Sequence, residues 1–246
     1  MTNQIKLIAL DMDGTLVNND GDVSTENEQA IQRAKEKGMH VVLCTGRSLS
    51  GCHDIANNLG RSSYIVTING GEIYDHLFNL VERSPLDHEL VKHIMDIKDK
   101  HGVFFWSSTA QGVFNSHNPY EQAIEENEWL KIGFDIEDDE IRQVVHDELI
   151  KNDALEITNS SPTNIEVNAA GVNKAAALLK VCKWLNIKME NVMAVGDSLN
   201  DLAMIRESGF GVAMDNAQDV VKQEADWVTV SNQEHGVAIA IDHILD

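Results

Sequence analysis

Apolar and polar positions along this chain follow two different rhythms. Ile5 to Leu10 is a short unbroken apolar run that reads as a buried strand. Glu26 to Lys37 carries helical spacing, with Ser24 or Thr25 placed to cap it and Gly38 to stop it. His40 to Cys44 predicts a second strand, Leu49 to Leu59 a second helix and Tyr64 to Ile68 a third strand. The tail repeats the rhythm. A helix from Lys174 to Trp184 precedes a strand from Val192 to Val195, a helix near Leu202 to Glu207 and a strand from Gly211 to Met214. A helix around Val220 and a short strand from Trp227 to Val230 follow. Strands separated by amphipathic helices imply right-handed crossovers and a parallel sheet.

Between about Pro85 and Ser161 the rhythm changes. A helix over His88 to Lys100 leads into two neighbouring strands, Val103 to Ser107 and Gly112 to Ser116. Helical stretches are expected around Tyr120 to Leu130 and Asp139 to Ile150, then strands over Leu155 to Thr158 and Asn164 to Asn168. Strands joined by short polar turns are hairpins, so this segment reads as an α+β insertion with a mostly antiparallel sheet. Alternation along Phe104, Phe105 and Trp106 sends some rings into a core and others out of it. Trp129 and Trp184 are expected as core residues on amphipathic helices.

Composition then narrows the partners. The 246 residues carry 19 Lys and Arg against 40 Asp and Glu, a formal charge of −21. Binding nucleic acid phosphates or an anionic membrane surface needs clustered positive charge, so neither partner is expected. Met1 to Gln4 runs straight into Ile5 to Leu10, which Asp11 cuts short, too brief for a signal segment. No apolar run approaches the roughly 18 to 20 residues of a membrane span. Three cysteines, Cys44, Cys52 and Cys182, make an odd and sparse set without metal-type spacing, which fits a reducing, cytoplasmic setting. The histidines lack zinc-ligand spacing.

The chemistry gathers at strand ends. Asp11-Met12-Asp13-Gly14-Thr15-Leu16 directly follows the first strand, Thr45-Gly46-Arg47 ends the second, Lys174 opens the first helix after the insertion, and Gly196-Asp197-Ser198-Leu199-Asn200-Asp201 ends the strand Val192 to Val195. In open parallel sheets, ligands bind outside the carboxyl ends of the strands, where these groups converge.

These four segments, with GVAM at 211–214 and NQEHGVA at 232–238, resemble the haloacid dehalogenase superfamily of phosphotransferases, and within it the Cof-type small-molecule phosphatases. The resemblance implies an α/β protein: a doubly wound, Rossmann-like core over residues 1–82 and 168–246, interrupted at 83–167 by an α+β cap similar to the C2B form and expected to set substrate selectivity. Two features depart from the family pattern: Ala175 stands where Gly often follows the motif lysine, and the cap is short.

The implied activity is Mg²⁺-dependent hydrolysis of a small phosphorylated metabolite, a sugar phosphate or a phosphorylated cofactor or precursor. Phosphoryl transfer to a carboxylate needs a nucleophile, a divalent cation and fixed positive charge around the phosphoryl oxygens. Asp11 is the expected nucleophile, forming an aspartyl-phosphate. Its second oxygen, the main-chain carbonyl of Asp13 and the Asp197 side chain are the expected Mg²⁺ ligands. Asp13, two residues beyond the nucleophile, is the expected acid and then base. Lys174 would neutralise the phosphoryl oxygens, while Thr45 and the amides of Gly46 and Met12 would donate to them. Asn200 is carried over as a phosphate or metal-water contact and Asp201 as a partner orienting Lys174. Arg47 reads equally as a substrate contact or a surface ion pair. A phosphomutase on the same scaffold, and a receiver-like regulatory module built around a phosphorylatable aspartate, remain as alternatives.

Overall fold

The structure is a computed structural model that describes residues 4–60 and 63–245; the start of the N-terminal segment, Met1 to Asn3, lies outside them. The chain divides into two compact units, residues 1–82 with 174–246, and residues 83–173.

The first unit opens with β1 (Leu7–Leu10), α1 (Thr25–Glu36), β2 (His40–Cys44), α2 (Leu49–Asn58), β3 (Tyr64–Thr67), β4 (Glu72–Asp75) and β5 (Leu80–Arg83). The second unit contributes α3 (His88–His101), β6 (Phe104–Thr109), β7 (Gly112–Asn115), β8 (Trp129–Asp135), α4 (Asp139–Leu149), β9 (Leu155–Thr158) and β10 (Asn164–Ala169). The chain then returns to the first unit with α5 (Lys174–Leu185), β11 (Val192–Gly196), α6 (Leu202–Glu207), β12 (Phe210–Ala213), α7 (Asp219–Glu224), β13 (Trp227–Val228) and α8 (Gly236–Leu245).

In the first unit the described strands form one sheet in the order β13-β12-β11-β1-β2-β3-β4-β5. The strands from β13 to β3 run parallel, and β4 turns back antiparallel to β3. Alternation along β1 sends Ile8 and Leu10 to one face, against α1, α2, α7 and α8, and Leu7 and Ala9 to the other, against α5. Helices on both faces of a mostly parallel sheet make the doubly wound α/β core expected from the sequence. Each fully buried aliphatic side chain contributes about 1.5–3 kcal/mol. Ser24 caps α1 by accepting from the Asn27 amide at 3.3 Å.

The second unit is a five-stranded sheet in the order β7-β6-β8-β10-β9, antiparallel throughout. Its apolar core gathers α3 and α4 with Phe105, Ile132, Phe134, Ile165 and Val167. Trp106, one residue on from Phe105, lies on the opposite face over Gly133, where a Cβ would fall 2.2 Å from the indole. No helix among the described residues is long and apolar enough to cross a membrane.

Four features differ from the sequence reading. The stretch expected as a helix over Tyr120 to Leu130 holds a short 3₁₀ turn at Ile124–Glu126 and then the central strand β8. Trp129 is therefore a core residue on a strand. Trp184 sits on α5 as expected but is 42% exposed, its ring 5.4 Å from that of Tyr64. The strands β4 and β5 and the helix α8 were not legible. The boundary expected at 167/168 would cut β10, whose pairing with β8 and β9 holds it in the second unit.

Candidate active site

The site lies within the first unit, at the carboxyl ends of its central strands. Asp11 leaves β1 with its amide donating to the Val195 carbonyl at 3.0 Å, so the adjacent strand β11 fixes where its side chain starts. Asp11 is 4% exposed. The fully buried ammonium of Lys174, at the start of α5, donates to Asp11 Oδ1 at 2.6 Å and to Asp201 Oδ1 at 2.7 Å. Asp201 Oδ2 in turn accepts from the amides of Asp197 and Ser198, at 3.0 and 3.1 Å. One carboxylate thus ties the lysine to the turn after β11.

Asp197 is held from both sides. Its Oδ1 accepts from the Thr15 hydroxyl and its Oδ2 from the Ser198 hydroxyl, each at 3.1 Å. Two glycines permit this crowding. Gly14 has φ +80°, and a Cβ there would lie 2.5 Å from Asp197 Oδ2; a Cβ on Gly196 would lie 2.5 Å from the Cβ of Asp201. Carboxylate oxygens of Asp11, Asp197 and Asp201 lie within 4.8 Å of one another.

Two buried carboxylates and the half-buried Asp197 face one ammonium, and the acidities follow. Burial, reinforced by the negative charge of Asp201, pushes the Asp11 carboxyl well above the usual range despite Lys174. The same causes push Asp197 up to about 6. Burial opposes the charge on Lys174, but the carboxylates of Asp11 and Asp201 outweigh it and raise its pKa. An all-oxygen set with surplus negative charge fits a hard divalent cation, which prefers carboxylate oxygens and retained waters. Burial holds the neighbouring Cys44 thiol far above its ordinary range, so it is no competing nucleophile.

Asp13 and Arg47 form a second cluster. Arg47 grips the Asp13 carboxylate in a fork, Nε to Oδ2 at 2.9 Å and Nη2 to Oδ1 at 2.5 Å, and Nη1 donates to the Gly51 carbonyl at 2.9 Å. Of the two readings of Arg47, the ion pair is what forms here, and its partner is the candidate acid. Thr45 is fully buried, and its hydroxyl accepts from the Arg47 amide at 3.1 Å. Gly46 lies between them. The Met12 side chain points into the core, leaving only its backbone for the site. Asn200 is buried and donates through Nδ2 to Asn69 Oδ1 at 3.3 Å. The hydroxyls of Thr15 and Ser198 and the side chain of Asn69 were missed as contributors. Thr15 and Ser198 stood inside motifs already singled out, whereas Asn69-Gly70 reads simply as a turn.

The comparisons with known proteins follow this geometry. The haloacid dehalogenase-like hydrolase family matches the chain over residues 8–143 and 118–241. The phosphatase YcsE of Bacillus subtilis, named for 5-amino-6-(5-phospho-D-ribitylamino)uracil, is 56% identical over 97% of this chain and 95% of its own length. YwtE of the same organism, named for the same substrate, is 31% identical over 98% of each chain. A solved haloacid dehalogenase-like hydrolase from B. subtilis superposes with a TM-score of 0.89 at 29% identity, covering 97% of this chain and 99% of that one. The chain belongs to the haloacid dehalogenase-like hydrolases. Within them it is a Cof-type phosphatase.

Proposed function

We propose that this phosphatase hydrolyses a small phosphorylated metabolite with Mg²⁺, by way of an aspartyl-phosphate on Asp11. The proposed substrate is 5-amino-6-(5-phospho-D-ribitylamino)uracil, the compound for which the 56%-identical relative is named. The observation that carries the mechanism is the pairing of buried Asp11 with Lys174 at 2.6 Å, beside a third carboxylate at Asp197.

Asp11 attacks phosphorus as the bond to the substrate oxygen breaks, and Asp13 gives that leaving oxygen its proton. Asp13 then takes a proton from water, which attacks the same phosphorus, releases inorganic phosphate and restores the Asp11 carboxylate. Lys174 balances charge on the phosphoryl oxygens, held in place by Asp201. The Thr45 hydroxyl and the amides of Met12 and Gly46 donate to those oxygens. Asp11, the Asp13 carbonyl and Asp197 would hold the Mg²⁺, whose charge would screen the attacking carboxylate from the phosphoryl anion. Asp201 orients Lys174 in this reading, with Oδ1 on the ammonium and Oδ2 on the amides of Asp197 and Ser198. Asn200 contacts the phosphate or the metal's waters.

The core groups meet only the phosphoryl group, common to every phosphomonoester. The proposal therefore gives selectivity to residues 83–173, and exchanging that segment with a relative of different preference should carry the preference along. Three buried free cysteines support a reducing, cytoplasmic setting. The decisive experiment measures phosphate release from a panel of phosphometabolites that includes the ribitylamino-uracil phosphate and simple sugar phosphates, with Mg²⁺ and with chelator. Preference for the ribitylamino-uracil phosphate, lost on chelation, is expected. Full activity in chelator would overturn the metal-assisted mechanism, and stronger activity on simple sugar phosphates would overturn the substrate.

A further inference from the structure

Immediately after β3 the backbone takes an unusual path. Ile68, Asn69 and Gly70 have φ of 54°, 57° and 102°, three left-handed residues in a row. Asn tolerates this region better than most residues, but a β-branched residue such as Ile68 is a true outlier there, and each strained non-glycine position costs about 1–3 kcal/mol. Two hydrogen bonds pin the segment to the loop after β2: the Ile68 amide donates to the Arg47 carbonyl at 2.9 Å and the Asn69 amide to the Thr45 carbonyl at 3.0 Å. The strain is thus anchored on the loop that carries Thr45 and the partner of Asp13.

The result is a buried contact between two asparagines 131 residues apart in the chain. Asn69, 2% exposed, accepts from Asn200 Nδ2 at 3.3 Å. This bond assigns the two ends of the Asn200 amide, leaving Oδ1 on the far side from Asn69. Among the described residues that oxygen has no hydrogen-bond partner, although it is shielded from solvent. A buried acceptor without a donor costs about 1–3 kcal/mol. Backbone strain and an unmet acceptor meet at one contact, and stored costs of this kind collect where a ligand completes the arrangement.

We propose that Asn69 is a positioning residue of the phosphatase site: it holds the Asn200 amide in the orientation that keeps Oδ1 available to a donor brought in with the ligand, a water carried by the divalent cation. This rests on the reading of the acidic cluster as a Mg²⁺ site. Asn69 acts only through Asn200 and touches no reacting atom. An amide free to turn would present its donor end half the time, and a donor cannot meet a water hydrogen. Partners that orient a ligand-contacting side chain typically matter about tenfold to a hundredfold in affinity or activity.

The test uses the full chain with substitutions at Asn69 and Asn200. Asn69→Gly removes the side chain while accepting the left-handed backbone, so any fall in melting temperature reports lost side-chain contacts and not added backbone strain. Its kcat should fall about tenfold or more and its Mg²⁺ affinity, titrated calorimetrically without substrate, should weaken by a similar factor, with KM moving less than about threefold. Asn69→Asp keeps an acceptor for Asn200 and should remain within about threefold of the parent. In an Asn200→Ala background, Asn69→Gly should add nothing, since its only route of action is gone. Asn69→Ser, which keeps a short polar group but cannot reach Asn200, replaces Asn69→Gly if the glycine variant does not fold. The proposal is overturned if the truncated variant matches the parent in kcat and Mg²⁺ affinity, if Asn69→Asp is equally damaged, or if the loss persists undiminished without Asn200. Parent activity with Mg²⁺ and with chelator tests the metal reading separately.

Discussion

Each of the two compact units buries a lysine, and the company each lysine keeps is different. In residues 83–173, Lys131 is 2% exposed, 3.2 Å from Glu166 Oε1 and 4.9 Å from the centre of the Trp106 ring. Glu166 Oε1 also accepts from the Ser160 hydroxyl at 3.0 Å. One ammonium meets one carboxylate, with a hydroxyl and an aromatic face beside them. Lys174 in the other unit is shared by two carboxylates with a third close by. The one-to-one pair serves to bind strands β8 and β10 together. The unbalanced cluster raises the pKa of Asp11 and Asp197, and added positive charge would relieve that, as a site for a cation and a phosphoryl group requires. Burial of charge alone therefore does not mark a catalytic centre; surplus of one sign does.

The sharpest way to test that contrast is to remove surplus charge. Asp11→Asn should lower kcat by about 10⁴-fold or more, as losing a nucleophile does, while the metal-free protein melts no lower than the parent. Residual activity within tenfold would remove Asp11 from the mechanism. Asp13→Asn should lose about 10²–10⁴-fold, the usual worth of a general acid and base, and a smaller loss would reassign that role.

The balanced pair should respond in the opposite sense. Lys131→Met strands the Glu166 carboxylate in the interior and should destabilise the fold by about 3–5 kcal/mol, whereas Lys131→Met with Glu166→Leu should recover most of it. Denaturant titration measures both, and a double variant no better than the single one would mean that the pair is not self-contained.

The smallest effect is a pH dependence. Asp197 has its pKa raised from the ordinary 3.8 to about 6, so in the metal-free protein its proton favours the folded state. That contribution is fully present below pH 4 and is lost as pH rises through about 6, amounting to about 3 kcal/mol at 1.4 kcal/mol per unit. Asp197→Asn lacks the loss. Its metal-free melting temperature, relative to the parent, should rise between pH 5 and pH 7.5, and a constant difference across that range would contradict the assignment.

How far the sequence reveals all this depends on the distance between partners. Asp11, Asp13, Thr45, Lys174 and Asp197 were legible because each stands at a strand end or helix start beside a local signature. Strand β8 was not. Its one clean alternation, Lys131-Ile132-Gly133-Phe134, buries a charged residue on the face away from the apolar core, and what makes that tolerable is Glu166, 35 residues on. The glycine likewise has its reason in Trp106, on another strand. Strand β4 hides for a similar cause, since buried Glu72 accepts from the Tyr74 hydroxyl at 2.7 Å and so does not read as a core position. Asn69 looks like turn punctuation until Asn200 is set beside it. Local pattern carries the elements, and buried polar pairs across long separations carry the exceptions.

The place of β1 in its sheet has a consequence for how the protein is made. This strand leads directly into Asp11, the proposed nucleophile, and is fully buried, with β2 on one side and β11 on the other. As the chain leaves the ribosome, β2 emerges about thirty residues after β1 at roughly 5–20 residues per second, but β11 follows only after the whole of residues 83–173. Throughout that interval the edge of Leu7–Leu10 is an unpaired apolar strand, the kind of surface that recruits other chains. The intervening unit can fold meanwhile, since its sheet and core are built from its own residues. A nascent chain stalled within it would hold Asp11 with neither Lys174 nor Asp197, chemically silent and exposed to aggregation, so synthesis speed across this segment should govern the yield of soluble enzyme.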